Sequence, residues 1–224
     1  MMKTILVTGA SGNLGKSVVT TLNDAGFSVL ATLGSNREVG VFDHLAHVKT
    51  DIVNVLDENI VNQYLANNVT MPINAAILLV GGFAKGNILE SDDASLEKMY
   101  QLNFISAYNF VKPLLARFEQ QGSGHFIFIG AQQVLNPAKG KDTFAYMMSK
   151  TAVYKMAEYI NVYDNKLGIK ATVIVPSTID TPQNRSAMPD ADFSKWVTPE
   201  YIAQKIASIL SDNAVDTEGF IVKV

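Results

Sequence analysis

Short apolar runs recur along this chain, separated by stretches whose apolar residues return every three or four positions. Thr4–Val7 is the first run, the pattern of a strand covered on both faces. A helix starts over Ser17–Leu22 and ends at Ala25-Gly26, and Phe27–Leu33 reads as the second strand. Ala46–Thr50, Pro72–Ile77, His125–Ile129, Ile169–Val175 and Gly219–Val224 supply five more. Helical spacing marks Glu58–Asn67, Ala94–Phe118 and Phe144–Leu167. A last helix runs to about Leu210, with Thr198 as N-cap and Pro199 at its first position. The stripe of Ala94–Phe118 is Leu96, Met99, Tyr100, Asn103, Phe104, Ala107, Tyr108, Val111 and Leu115, with Pro113 either kinking the helix or held under strain. Asn103 is a polar residue on that stripe, where an unpaired amide is costly.

Strand and helix alternate from end to end, with no repeat or linker. Residues 1–224 are expected to form a single α/β domain, doubly wound, with a mostly parallel sheet of about seven strands and helices on both faces. Residues 176–198 are long, aperiodic and punctuated by proline, and read as a substrate-covering loop.

Composition narrows the functional classes. The chain has 224 residues, 48% hydrophobic, enough for one sizeable core. A net charge of -3 and a pI near 5.6 offer no basic field for nucleic acid. The absence of cysteine removes disulfides, thiolate metal sites and a Cys nucleophile, and no metal is expected. No apolar run reaches the roughly 18 residues of a membrane span, and the chain enters a strand too early for a leader, so the expected location is the cytoplasm.

The candidate chemistry begins between the first strand and helix. Gly9, Gly12 and Gly15 stand at a spacing of three, with Ser11, Asn13 and Leu14 between them. Strand, glycine turn, helix is the arrangement that seats a dinucleotide pyrophosphate on a helix N-terminus, although three glycines also make an ordinary turn. At the end of the second strand come Gly34, Ser35, Asn36 and Arg37, with no acid before Glu38. An acid there hydrogen-bonds the ribose of NAD, whereas a base accommodates the 2′-phosphate of NADP. The reading therefore leans to NADP, with NAD as the alternative and Arg37 as an ordinary solvated charge the bland one. Asp51 follows the third strand, placed for an adenine contact or a plain turn. Tyr146 and Lys150 lie one helical turn apart, so an ammonium can favour the phenolate and make the phenol a proton donor or acceptor. Phe83, in the glycine-rich stretch Gly81–Asn87, and Trp196 are aromatic residues that stack on a flat ring or simply anchor their loops.

Taken together, Thr8-Gly9-Ala-Ser-Gly12-Asn-Leu-Gly15, Asp51, Asn74-Ala75, Asn103, Tyr146-x-x-x-Lys150 and Pro176…Thr181 resemble the short-chain dehydrogenase/reductase family in order and interval, over essentially the whole chain. The resemblance implies a Rossmann fold, hydride transfer from a nicotinamide and Tyr146 as catalytic acid. It implies that Lys150 holds the nicotinamide ribose and that Asn103 holds a water in a proton relay. It further implies that Asp51 meets the adenine, that Asn74, Ala75 and Pro176 line the cofactor, and that Thr181 meets its carboxamide region. The family's serine is missing, since its place reads Ile129-Gly130-Ala131-Gln132-Gln133, where Gln133 is a candidate replacement. The dihydropteridine reductase branch of the family also lacks that serine, and its loops resemble Gly81–Asn87 and Ser177–Trp196 here. That branch reduces a conjugated ring, which accepts hydride without a serine to polarise a carbonyl. The implied partner is a small-molecule substrate. The alternatives are a conventional alcohol or ketone dehydrogenase with a non-standard site, and a non-catalytic NADP-binding regulator. A homodimer or homotetramer through the two long helices is expected, with Met147, Met148, Val153, Tyr154, Ala157 and Ile160 as candidate contacts.

Overall fold

The computed structural model describes residues 2–163, 168–211 and 219–224. Seven parallel strands form one sheet: β1 (Thr4–Thr8), β2 (Ser28–Leu33), β3 (Val48–Ile52), β4 (Ala75–Leu78), β5 (Gly124–Ile129), β6 (Ile169–Val175) and β7 (Ile221–Lys223). Their order is β3-β2-β1-β4-β5-β6-β7, so the direction of winding reverses between β1 and β4. Ligands bind at such a switch, beyond the carboxyl ends of the strands.

Alternation within each strand feeds two cores. Ile5 and Val7 of β1 point to one face, where they meet Val18, Val19 and Leu22 of α1 (Asn13–Asp24) and Ile202 and Ile206 of α8 (Pro199–Leu210). Leu6 points to the other face, packed beneath α2 (Glu58–Asn68), α4 (Ser106–Gln121) and α6 (Phe144–Tyr163). Side chains cap the helices as their sequences indicate: the Asp57 carboxylate accepts from Asn59 and Ile60 N–H, and Thr198 Oγ1 from Tyr201 N–H, with Pro199 next. Among the described residues no helix is long and apolar enough to cross a membrane.

Three expectations change. The pattern over Ala94–Phe118 resolves into α3 (Asp93–Tyr100), a π-helical turn (Gln101–Ile105) and α4, so the break falls at Asn103 rather than at Pro113, which α4 accommodates. The third strand lies two residues later than its apolar run, which puts Asp51 inside β3. On α6, Val153, Ala157 and Ile160 are core residues and cannot form an outer contact, whereas Met148 is 45% exposed. Helix α6 is described to Tyr163, and the expected end at Leu167 lies outside the described residues.

Candidate active site

The turn after β1 is shaped by its glycines. Gly9 has φ +65°, and its carbonyl accepts from Gly12 N–H at 3.1 Å. A Cβ on Gly15 would stand 2.2 Å from Gly9 O and 2.5 Å from Ala10 O, so any larger residue would push α1 off β1. Gly12 caps α1 without a side-chain bond, and the first turn carries no acid. Its N–H groups and the positive end of the helix dipole therefore face the crevice, with Ser11, Asn13 and Leu14 at its lip. A close cradle that admits only glycine, with the N–H groups of the first turn of α1 at its mouth, fits a dinucleotide pyrophosphate.

Beyond β2, Ser35 and Glu38 cap each other across a short 3-10 turn (Asn36–Glu38), and Glu38 Oε2 accepts from Gly34 N–H at 2.9 Å and Ser35 N–H at 3.2 Å. Arg37 is exposed on this turn, with no ion pair among the described residues. Asp51, the expected adenine contact, directs its carboxylate to the α2 side of the sheet. It accepts from Asn68 Nδ2 at 3.3 Å and pairs with Lys49 at 3.6 Å. Burial, with the Asp51 charge nearby, pushes the Tyr64 phenol of α2 up.

Asn74 and Ala75 are corrected. Asn74 precedes β4 and its Oδ1 accepts from Thr4 N–H at 2.7 Å, at the amino edge of the sheet. The length of β4 separates both residues from the crevice, because the apolar run begins rather than ends there. Leu79, Val80, Gly81 and Gly82 follow β4 at the carboxyl edge instead. A Cβ on Gly9 would lie 3.1 Å from Val80 Cγ2, and one on Gly81 would lie 2.5 Å from Asn103 Oδ1 and 3.5 Å from Lys150 Nζ. The continued apolar run to Val80 and the Gly-Gly pair after it were the signal for these residues.

Those contacts link the glycine turn to the expected catalytic residues. Lys150 is buried at the end of β5, where Nζ donates to Ile129 O at 2.9 Å and lies 5.9 Å from the centre of the Tyr146 ring. Burial brings its pKa down to about 8. Burial also pushes the Tyr146 phenol up to about 12, opposite to the lowering expected from the lysine. Here desolvation exceeds the effect of an ammonium turned to a carbonyl. The Phe83 ring stands edge-on to Tyr146 with centroids 5.0 Å apart, yet is 58% exposed. Asn103, 2% exposed in the π turn, grips the same loop: Nδ2 donates to Gly82 O at 3.1 Å and Oδ1 accepts from Gly82 N–H at 3.0 Å.

The remaining candidates lie around this centre or away from it. Ala131 is buried where the family has its serine region. Gln133 begins its side chain against Gly140, and its amide makes no hydrogen bond among the described residues. Pro176 is buried after β6, and Thr181 caps α7 (Pro182–Ala187) by accepting from Asn184 N–H at 3.1 Å. Trp196 packs on Phe193 at 4.7 Å, and Arg185 lies over the Phe193 ring, so Trp196 anchors its own segment, whereas the Phe83 ring is in contact with Tyr146.

A doubly wound parallel sheet, a glycine cradle at its switch point and a Tyr–Lys pair beside it define a dinucleotide-dependent oxidoreductase. The family model described as short chain dehydrogenase matches residues 3–192. The chain belongs to the short-chain dehydrogenase family and is an NAD(P)-dependent oxidoreductase. It is 30% identical to a dihydropteridine reductase of Dictyostelium discoideum, over 100% of this chain and 94% of that one. It is 25% identical to an uncharacterized oxidoreductase, YmfI, of Bacillus subtilis, over 100% and 98%. Among solved structures, an oxidoreductase of the family from Burkholderia thailandensis superposes with a TM-score of 0.86 at 22% identity, covering 100% of this chain and 91% of that one. A protein named ElxO, solved with NADP bound, gives 0.87 at 19% identity, covering 100% and 97%.

Proposed function

We propose that this protein is a reductase of a conjugated cyclic substrate, of the dihydropteridine kind, with Tyr146 as proton donor. The observation that carries this reading is the Phe83 ring held edge-on to Tyr146 while most of its surface stays open. A flat apolar wall beside the proton donor suits a planar ring. The absence of a serine or threonine over Gly130–Gln133 supports it, since a conjugated ring needs no hydroxyl to polarise a carbonyl. The dihydropteridine reductase relative lends the same direction.

The reduced nicotinamide supplies the hydride. The cradle of Gly9, Ser11, Gly12, Asn13, Leu14 and Gly15 holds the pyrophosphate, and Arg37 with Ser35 makes NADP the preferred form and NAD the accepted one. A phenol raised to about 12 is fully protonated at neutral pH, which is the form a proton donor requires. Lys150 holds the ribose and presents positive charge to the phenolate left behind, and Asn103 keeps the loop of Phe83 in place. Gln133 and Trp196 border the substrate region, and residues 176–198, with Pro176 and Thr181 at their start, cover it.

The test is reduction of quinonoid dihydropterin with NADPH and NADH. Turnover is expected, with tighter calorimetric binding of NADPH. Tyr146→Phe lowers kcat by about 10²- to 10⁴-fold, the usual worth of a positioned proton donor, with nucleotide affinity unchanged. Binding without turnover on pterins, quinones or diketones would identify a nucleotide-binding regulator instead.

We also propose that α3 and α6 join copies of this chain into a homodimer or homotetramer. A 520 Å³ groove between them is lined by Leu96, Tyr100, Ala145, Met148 and Ala152, and the Tyr100 ring continues in a row through a tilted contact with Phe104, which stacks on Tyr108.

A further inference from the structure

Ser149 stands between Tyr146 and Lys150 on the chain, but its side chain leaves the crevice and turns toward the π turn. We propose that Ser149 is a positioning residue: its hydroxyl fixes the Asn103 amide and, through it, the distance between the Phe83 loop and the catalytic helix. The inference rests on the reductase reading above for its kinetic consequence, though not for the coupling itself.

The argument is one of donors and acceptors. A buried carboxamide has two N–H groups and one strongly accepting oxygen to satisfy. Gly82 takes one N–H of Asn103 through its carbonyl and supplies its own N–H to Oδ1. The second N–H goes to Ser149 Oγ at 2.9 Å, and both residues are 2% exposed, so the bond is shielded from bulk water. Met99 Sδ, at 3.9 Å, is a weak substitute. Ser149 can accept because its own proton is committed: Oγ donates to Tyr146 O at 2.7 Å. The direction of the chain is therefore set, from Asn103 to Ser149 to the carbonyl of the catalytic tyrosine.

Each end carries something that matters. At one end Gly82 precedes Phe83, whose ring faces the Tyr146 ring. At the other, Ser149 is rooted in the turn of α6 that carries Tyr146 and Lys150. The segments also lack room to move independently: a Cβ on Gly82 would stand 2.8 Å from Leu102 Cδ1 and 3.1 Å from Met99 Cε. Removal of the Ser149 oxygen leaves a buried N–H unpaired, and the amide relieves that by turning from Gly82, which releases the loop.

The experiment uses Ser149→Ala, Ser149→Cys and Ser149→Thr in the full chain, with two readouts. The first is amide hydrogen exchange in the nucleotide-free protein. Ser149→Ala is expected to speed exchange of Gly82 N–H at least about 10-fold while β1 and β4 amides stay unchanged; Ser149→Cys, of similar volume, does the same, and Ser149→Thr restores protection. The second is turnover: Ser149→Ala lowers kcat about 10-fold with nucleotide affinity unchanged, and adds nothing to the loss in Asn103→Ala, because both act on one linkage. Unchanged Gly82 exchange in both Ala and Cys variants, or losses that add in the double variant, overturns the proposal. If the wild type binds nucleotide but reduces no substrate, the reductase reading fails, and the exchange readout still decides the role of Ser149.

Discussion

Lys150 shows how strongly burial acts on a single residue at this site. Its ammonium is buried beside Gly81 at the end of β5, where Ile129 O is its hydrogen-bond partner among the described residues, and burial lowers its pKa to about 8 against an ordinary 10.5. Between these values the unfolded chain carries a proton that the folded protein has shed. Stability attached to Lys150 is thus full above pH 10.5 and is lost as pH falls through 8. Tyr146 acts oppositely: raised to about 12, it contributes stability below pH 10 that is lost as pH rises through 12. Comparison with Lys150→Met isolates the lysine. The stability of the wild type relative to the variant is expected to grow by about 2–3 kcal/mol from pH 7.5 to 10.5 in urea unfolding. A flat difference would mean the ammonium is solvated. These two residues were legible in the sequence because helical spacing fixes their relation locally. Asn74 and Ala75 were misassigned because a motif counted from a strand needs that strand's end, and the apolar run Ile73–Val80 does not mark where hydrogen bonding starts. Glu38 was visible as a residue, but its return onto Gly34 and Ser35 N–H depends on a turn that hydrophobic pattern does not encode.

At the scale of elements, the two long helices were legible as apolar stripes but not as surfaces. Met99, Asn103, Ala107, Phe110 and Leu114 keep a three-and-four spacing across the π turn, so periodicity reads through the break. Periodicity also cannot tell a core stripe from an outer one when both are apolar, which is why Val153, Ala157 and Ile160 were placed in an interface they do not reach. The exposed apolar residues of these helices include Tyr100 on α3, Tyr108 on α4, and Met148, Tyr159, Val162 and Tyr163 on α6. The apolar groove between α3 and α6 suits another protein surface. Met148→Glu places a charge in the groove without touching the core. Light scattering after size exclusion is expected to show the wild type as a dimer or tetramer and Met148→Glu as a monomer at micromolar concentration, with the melting temperature of the monomeric fold retained. A wild-type monomer would refute the interface outright.

Over the whole molecule, the sheet is a rigid platform and the segment between β6 and α8 is built separately on its carboxyl edge. Alternation made the platform legible, since parallel strands buried on both faces read as apolar runs. The segment was legible only as an interruption, because what orders it is local polar chemistry. Asp180 accepts from Arg185 Nε and Nη2 at 2.5 and 2.7 Å, Arg185 covers the Phe193 ring at 4.7 Å, and Phe193 packs on Trp196. Two backbone bonds close the segment on itself, Asp180 N–H to Val197 O and Val197 N–H to Thr178 O, and Ser177 N–H to Val224 O ties its start to the end of the sheet. The Arg185 side chain is half exposed, and a pair held at the surface contributes about 1 kcal/mol or less to global stability. Its loss should therefore loosen this segment while the platform stays folded. Arg185→Ala is expected to leave the melting temperature nearly unchanged, to red-shift the emission of Trp196, the sole tryptophan, and to make it easier to quench with acrylamide. If this segment encloses substrate as proposed, the variant raises KM about 3- to 10-fold while kcat moves less, since looser enclosure weakens ground-state and transition-state binding alike. A large fall in melting temperature with unchanged KM would show the reverse: that this segment belongs to the platform and plays no part in enclosing substrate.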